Sequence, residues 1–170
     1  FGTDSGPPAR FQGFFEHLEM DLMADAGLTP MEILVSATGG AAKKGKVVLG
    51  TVKGDIHDIG KDIVGFMLDV NGFEVTDLGV DVPEEKFVEA VKKVKPQVVA
   101  LSGFLTLAYD SMKSTVDALD KAGVRKGVKI MIGGGQITER VKDYVKADAF
   151  GVDAVAAVHQ AKEWVPVAAK

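Results

Sequence analysis

The chain of 170 residues contains no cysteine, one tryptophan and only three histidines. Without cysteine it can form neither disulfides nor thiolate metal sites, and this composition suits a reducing cytoplasm. No apolar run reaches the roughly 18 residues of a membrane-spanning helix, and no basic-then-apolar signal opens the chain. We therefore expect a cytoplasmic protein without a membrane segment.

Positive charge is not in excess either. The 20 basic residues are outnumbered by 24 acidic ones, which gives a formal net charge of −4. Nucleic-acid surfaces normally cluster basic residues, so we expect no nucleic-acid partner. The hydrophobic content of 46% is enough for a core, and the length suits one domain with an appendage.

From position 46 onward, strand-like and helix-like stretches alternate. The pattern predicts five strands, over 47–52, 73–77, 98–102, 128–132 and 149–151. It predicts five helices, over 58–71, 83–95, 110–122, 138–146 and 153–164. Such alternation is typical of an α/β fold with a doubly wound, flavodoxin-like (Rossmann-like) parallel sheet.

The first predicted helix carries apolar residues at helical spacing. Ile59, Ile63, Phe66, Met67 and Val70 recur three or four positions apart. We expect this stripe to pack on the sheet as core.

The most informative run is GTVKGDIHDIGKDIVG at residues 50–65. It leads from a predicted strand into a helix, which is where open α/β sheets bind ligands. His57 lies between Asp55 and Asp58, and a carboxylate can hold one nitrogen of an imidazole while the other binds metal. No cysteine or second histidine is nearby, so a metal would need other ligands, such as a macrocycle. From these residues alone, a solvated or structural histidine is the alternative.

Three motifs, in order, resemble the cobalamin-binding domain of corrinoid proteins and cobalamin-dependent methyltransferases. They are D-x-H-x-x-G in this loop, a serine and a threonine in VVALSGFLT, and a glycine pair in KIMIGGGQIT. The residues concerned are Asp55, His57, Gly60, Ser102, Thr106, Gly133 and Gly134. The resemblance covers about residues 44–165.

The resemblance implies roles for these residues. His57 would bind the cobalt of cobalamin from below, displacing the cofactor's own benzimidazole. Asp55 would hydrogen-bond the far nitrogen of His57, and Ser102 would extend this relay. Gly133 and Gly134 would line the groove for the displaced nucleotide tail. Without the resemblance, a strand-end serine and turn glycines explain the same residues.

Further cofactor contacts are implied at neighbouring positions of the three loops, namely Asp58, Ile59, Gly60, Phe104, Leu105, Thr106 and Gly135. The sequence departs from the family pattern at three places. Phe104 stands where leucine is usual, Asp62 where asparagine is common, and Gly135 extends the glycine pair. None of these departures removes a residue of the implied cobalt relay.

Residues 1–43 resemble the C-terminal part of amidohydrolases instead, through GTDSG at 2–6 and the run GLTPMEIL. Asp4 matches an aspartate that serves metal-assisted hydrolysis there, but the metal-binding histidines of that family are missing, so we expect no hydrolase activity. Helices are predicted over 11–26 and 29–38, and their apolar faces favour self-association into a homo-oligomer. The sequence thus predicts a helical segment 1–43 fused, naturally or by engineering, to a cobalamin-binding domain 44–170.

The function implied by the main resemblance is that of a corrinoid methyl carrier. Such a protein passes methyl groups between methyl-donor and methyl-acceptor methyltransferase proteins and is not catalytic alone. Two alternatives stay open at this point. One is the cobalamin-binding subunit of a radical mutase, whose motif usually reads more like DGHDRG. The other is a non-catalytic cobalamin-binding module or fusion.

Overall fold

The computed structural model describes positions 27, 29, 44–135 and 137–165. The chain divides into two units, and the fold described here belongs to the second, Lys43–Lys170. Apart from positions 27 and 29, the segment 1–43 lies outside the described residues. Its two predicted helices and Asp4 therefore stay predictions.

Strands and helices alternate throughout the described part of the second unit. The elements are β1 (Gly45–Thr51), α1 (Ile59–Val70), β2 (Phe73–Asp77), α2 (Glu84–Val94), β3 (Val98–Ser102), α3 (Ala108–Lys121), β4 (Lys129–Gly133), α4 (Glu139–Val145), β5 (Ala149–Gly151) and α5 (Ala154–Trp164). The strands form one parallel sheet in the order β2-β1-β3-β4-β5. This confirms the predicted flavodoxin-like fold. Among the described helices, none is long and apolar enough to cross a membrane.

Helices cover both faces of the sheet, which is why the central strands are almost entirely apolar. On one face, Val47 and Leu49 of β1 pack in a cluster with residues of α1 and α5. On the other face, Val48 belongs to a cluster that includes Phe87 of α2 and Met112 of α3. Alternate residues of one strand thus stabilise two separate halves of the core.

The prediction that the apolar stripe of α1 packs on the sheet as core is wrong in part. Ile59, Ile63 and Phe66 are 76%, 52% and 52% exposed, whereas Leu68 is fully buried. The helix packs on the sheet through its C-terminal half, and Ile63 borders a cavity at the carboxyl edge of the sheet. Helical spacing alone does not reveal which apolar residues lie beside a cavity.

The parallel order brings the three motif loops to one edge. β1 lies beside β3, and β3 lies beside β4, with Thr51 in register with Ser102 and Ser102 in register with Gly133. These three residues end their strands at the same level. The loops that follow them therefore start side by side, as the sequence predicts.

Asp148 directly precedes β5, at the edge of the sheet opposite the three motif loops. Its carboxylate stabilises that edge through hydrogen bonds. Its Oδ2 accepts hydrogen bonds from the backbone N–H of Ile130, at 2.8 Å, and from the guanidinium of Arg125, at 2.9 Å. Burial alone would raise the pKa of Asp148, but the Ile130 N–H and the charge of Arg125 lower it below its ordinary value.

We expect Asp148→Asn to lower the free energy of unfolding at pH 7 by about 1 kcal/mol, because it removes a charge-assisted hydrogen bond. A carboxyl whose folded pKa is lowered stabilises the fold above its unfolded pKa of about 3.9, and this contribution is lost as the pH falls through the folded value. The difference from wild type should therefore shrink between pH 7 and pH 3, as measured by urea unfolding. The control is Asp117→Asn on the surface of α3, where Asp117 pairs with Lys113 and should matter less. An equal difference at both pH values would contradict the prediction.

Candidate cofactor site

The loop between β1 and α1 is held by hydrogen bonds from several elements. The hydroxyl of Thr51 donates to the carbonyl oxygen of His57 at 2.9 Å. The backbone N–H of Asp55 donates to the carbonyl of Val52, and the N–H of Asp81 donates to the carbonyl of Asp55. The loop is therefore a defined structure that places Asp55 inside the protein and His57 at its surface.

One carboxylate oxygen of Asp55 orients the imidazole of His57. Asp55 Oδ1 lies 2.7 Å from His57 Nδ1 and accepts the backbone N–H of the same residue at 2.9 Å. Asp55 is buried, whereas the side chain of His57 is 49% exposed. An ionised carboxylate only accepts, so Nδ1 carries a proton, and in the neutral imidazole the lone pair is therefore on Nε2. Nε2, with no hydrogen-bond partner among the described residues, is available as a metal ligand.

The other oxygen of Asp55 is held by the loop after β3. Asp55 Oδ2 accepts the backbone N–H of Phe104 at 2.6 Å and that of Leu105 at 3.0 Å. Burial alone would raise the pKa of Asp55, but the N–H groups of His57, Leu105 and Phe104 and the ring of His57 together lower it to about 2. Asp55 is therefore a permanent anion near neutral pH, and it joins two of the three motif loops.

A cavity of about 530 Å³ opens beside this loop, between α1, α5 and the ends of β1, β3 and β4. Its lining is mostly apolar and includes Leu49, Val64, Met67, Ala100, Met131 and Val155. Four of the predicted cofactor residues also line it, namely Gly60, Ser102, Gly133 and Gly134. A mostly apolar cavity of this size is typical of a small-molecule or cofactor site.

Exposed apolar side chains lie around His57 on the same loops. The ring of Phe104 is 4.6 Å from the imidazole, centroid to centroid, and is tilted by 33°. Ile56 and Ile59 flank His57 along the chain and are 72% and 76% exposed. Together with Leu105, these residues form what we call the apolar rim. A cluster of exposed apolar side chains is typical of a binding surface.

The donor set fits a metal that brings most of its own ligands. Among the described residues there is no group of three or more histidine, aspartate or glutamate side chains that could hold a metal ion. His57 is a single accessible imidazole with an ordered carboxylate behind it, next to an apolar rim and an apolar cavity. These features suit a flat, largely apolar macrocycle that already surrounds its metal.

The structure does not join Ser102 to the Asp55–His57 pair. Ser102 lies at the end of β3 and lines the cavity, and among the described residues its hydroxyl makes no hydrogen bond to Asp55. The position beside Asp55 Oδ2 is taken by backbone N–H groups instead. The predicted contact of Ser102 with the cofactor stays a prediction.

The remaining predicted residues lie at the edge of the site. Asp58 is the N-cap residue of α1 and is exposed, with its carbonyl accepting the N–H of Asp62 at 2.8 Å. Thr106 is exposed in the loop after β3, and Gly135 is exposed in the loop after β4. Their contact with a cofactor is a prediction that rests on the family pattern.

Sequence reasoning missed Lys61, which also lines the cavity. Its side chain is only 3% exposed, and its ammonium group is paired with Asp62, at 2.6 Å, and with Asp77 at the end of β2. Burial alone would lower the pKa of Lys61, but the hydrogen bonds to the two carboxylates raise it. This pairing fastens the start of α1 to β2. The sequence shows no signal for it, because Asp77 is distant in the chain.

Comparison with known proteins identifies the family of this chain. The family model for the B12 binding domain matches residues 45–162. Dimethylamine corrinoid protein 1 of Methanosarcina acetivorans is 40% identical over 152 residues, which cover 88% of this chain and 71% of that protein. A match of that length extends beyond the sheet domain into residues 1–43, so part of the front segment lies within the matched region. The amidohydrolase resemblance of that segment stays a prediction.

Two solved structures are similar in fold and sequence. A cobalamin-binding protein from Desulfitobacterium hafniense DCB-2 is 43% identical with a TM-score of 0.74, covering 89% of this chain and 80% of that one. The methanol:cobalamin methyltransferase complex MtaBC from Methanosarcina barkeri is 27% identical with a TM-score of 0.72, covering 88% of this chain and 63% of that one. Together with the family model and the relative above, these likenesses confirm the predicted family and its cofactor: the chain belongs to the B12-binding domain family.

Proposed function

We propose that the protein is a corrinoid methyl carrier that binds cobalamin with His57 as the lower ligand of cobalt. The observation that carries this proposal is the Asp55–His57 pair, in which a buried anion holds Nδ1 and leaves Nε2 accessible. The named relatives, a dimethylamine corrinoid protein and a methanol:cobalamin methyltransferase complex, support methyl transfer as the process served. When bound, the corrin cobalt supplies the chemistry of accepting and releasing a methyl group.

The chain's own contribution is to position and tune the ligand. Asp55 accepts a hydrogen bond from the Nδ1–H of His57, which fixes the tautomer and increases the basicity of Nε2. Because the pKa of Asp55 is about 2, this carboxylate stays charged at any pH near neutrality. The apolar rim provides a surface for the macrocycle, and the cavity lined by Gly133 and Gly134 provides space for the nucleotide tail.

The partners in this proposal are a methyl-donor and a methyl-acceptor methyltransferase protein. Each has to reach the exposed side of the site, at the carboxyl edge of the sheet. We also place the protein in the cytoplasm, as the lack of cysteine suggests. The similarity to corrinoid proteins of methyl-transfer systems favours a carrier over the subunit of a radical mutase.

The axial role of His57 is tested by His57→Ala. We expect the variant to bind hydroxocobalamin at least about tenfold more weakly, because changes to the hydrogen-bond partners of a metal ligand already cost that much. The absorption spectrum of its bound cofactor should lack the features of histidine ligation. The control is His159→Ala on the exposed side of α5, which should behave as wild type. An unchanged spectrum for His57→Ala would reject the axial role.

The role of Asp55 is tested by Asp55→Asn, which keeps the shape but removes the charge. Asparagine would present an NH₂ group to N–H donors that now bind a carboxylate, so the unfolding free energy should fall by about 1–3 kcal/mol. Histidine ligation of cobalamin, followed by absorption, should weaken at least about tenfold. Asp120→Asn, at an exposed position of α3 outside the predicted site, is the control. Equal behaviour of the two variants would remove Asp55 from the site.

The boundary between the two predicted segments is part of the same proposal. We expect residues 44–170 to fold and to bind cobalamin without residues 1–43, because every described contact of the site lies within the second unit. Circular dichroism and a cobalamin titration of the shortened chain test this. Loss of folding would show that the front segment belongs to the core.

A further inference from the structure

The backbone of the loop after β4 lies in close contact with the backbone of the loop after β3. A Cβ atom added to Gly134 would lie 2.6 Å from the carbonyl oxygen of Gly103, and one added to Gly135 would lie 2.5 Å from that of Phe104. Both distances are shorter than any ordinary van der Waals contact, and the atoms met are backbone atoms that cannot rotate away. A side chain at either glycine would therefore displace the loop after β3.

The same two peptide groups hold Asp55 from their other side. The peptide between Gly103 and Phe104 gives its N–H to Asp55 Oδ2, and so does the peptide between Phe104 and Leu105. A trans peptide is planar, with its C=O and N–H pointing in opposite directions, so a push on the oxygen also moves the N–H. Each glycine abuts the carbonyl of a peptide whose N–H binds the carboxylate.

Asp55 couples the positions of these two peptides to the position of the His57 imidazole. Its Oδ2 is held by the two peptides, and its Oδ1 is held 2.7 Å from His57 Nδ1. A carboxylate is rigid, so a shift of one oxygen reorients the other. A continuous chain of contacts thus runs from the loop after β4, through the loop after β3, to the imidazole.

We propose that Gly134 and Gly135 are positioning residues for His57, setting the peptides that orient its carboxylate partner. At Gly135 this role is separate from lining the cavity, because Gly133 and Gly134 line it and Gly135 does not. Gly133 lacks the role, since a Cβ added there would have its nearest contact at an ordinary 3.7 Å. The inference rests on the proposed ligation of cobalt by His57. It adds that two glycines of a third loop, which have no side chains, decide how well that ligation forms.

The main test is Gly135→Ala, probed with cobinamide, a corrin that lacks the nucleotide tail. Because cobinamide puts nothing into the tail cavity, any effect on the cavity is removed. Histidine ligation is measured by absorption, and by the nitrogen hyperfine splitting in the electron paramagnetic resonance spectrum of the Co(II) form. We expect ligation at least about tenfold weaker than in wild type, with both cobinamide and cobalamin.

The matched control is Gly123→Ala, far from the site. Gly123 has a positive φ of +74° with nothing within 4 Å of an added Cβ, and Gly135 has a φ of +43°. Alanine strains the backbone at both positions, but only at Gly135 does it collide with another loop. We expect Gly123→Ala to lose stability and to keep wild-type ligation.

A measurement without cofactor keeps the proposal testable if ligand binding is hard to compare. In the amide nitrogen–proton NMR spectrum of the apoprotein, Gly135→Ala should shift the signals of Phe104 and Leu105, and Gly123→Ala should not. Gly134→Ala provides the second variant if Gly135→Ala does not fold, with folding checked by circular dichroism.

The outcomes separate the two claims. A wild type that ligates cobinamide through His57 while Gly135→Ala or Gly134→Ala, folded, does so equally well overturns the positioning role and leaves the proposed function intact. A wild type in which His57 ligates the cobalt of neither cobalamin nor cobinamide overturns the proposed function and this inference with it. Weakened ligation in the glycine variants, with normal ligation in Gly123→Ala, supports the inference.

Discussion

The buried carboxylate of Asp55 is the interaction on which the site depends. Its two oxygens bind different loops, His57 on one side and the backbone of Phe104 and Leu105 on the other. A buried charge is tolerated only when hydrogen bonds compensate for the lost hydration, and here four donors do so. The same bonds that stabilise the anion also orient the imidazole. Stability and ligand geometry therefore come from one set of contacts.

The sheet makes this arrangement possible through its register. Thr51, Ser102 and Gly133 end three adjacent parallel strands at one level. Loops that start side by side can exchange hydrogen bonds over a few ångströms, although they are about fifty residues apart in sequence. The wide cavity next to them lies where α1 and α5 flank the strand ends. A binding edge at this position is what open α/β sheets generally provide.

Much of this could be predicted from the sequence, for identifiable reasons. Alternating apolar runs and helical periods define the fold, since each strand covered on both faces reads as continuous apolar sequence. Asp55 and His57 stand two residues apart in a short motif, so their pairing is a local event. Gly133 and Gly134 were found because the family pattern marks them, and both line the cavity.

What sequence reasoning missed depends on contacts between distant segments. The N–H groups of Phe104 and Leu105 carry no side-chain signal, so the position assigned to Ser102 beside Asp55 was filled by groups that no motif records. Lys61 reads as a solvated helix residue until Asp77 is placed beside it. The exposed Ile59 and Ile63 of α1 read as core, because periodicity reports a face of the helix and not what covers that face.

The accessibility of the two halves of the site differs, and this has a kinetic consequence. The ring of His57 is half exposed, whereas the cavity lies between two packed helices. An encounter at the imidazole needs only diffusion, and once one part of a ligand is held there, insertion of its second part into the cavity is an intramolecular step. Loading of a two-part ligand should thus proceed as a fast, concentration-dependent phase followed by a slower phase whose rate is independent of concentration.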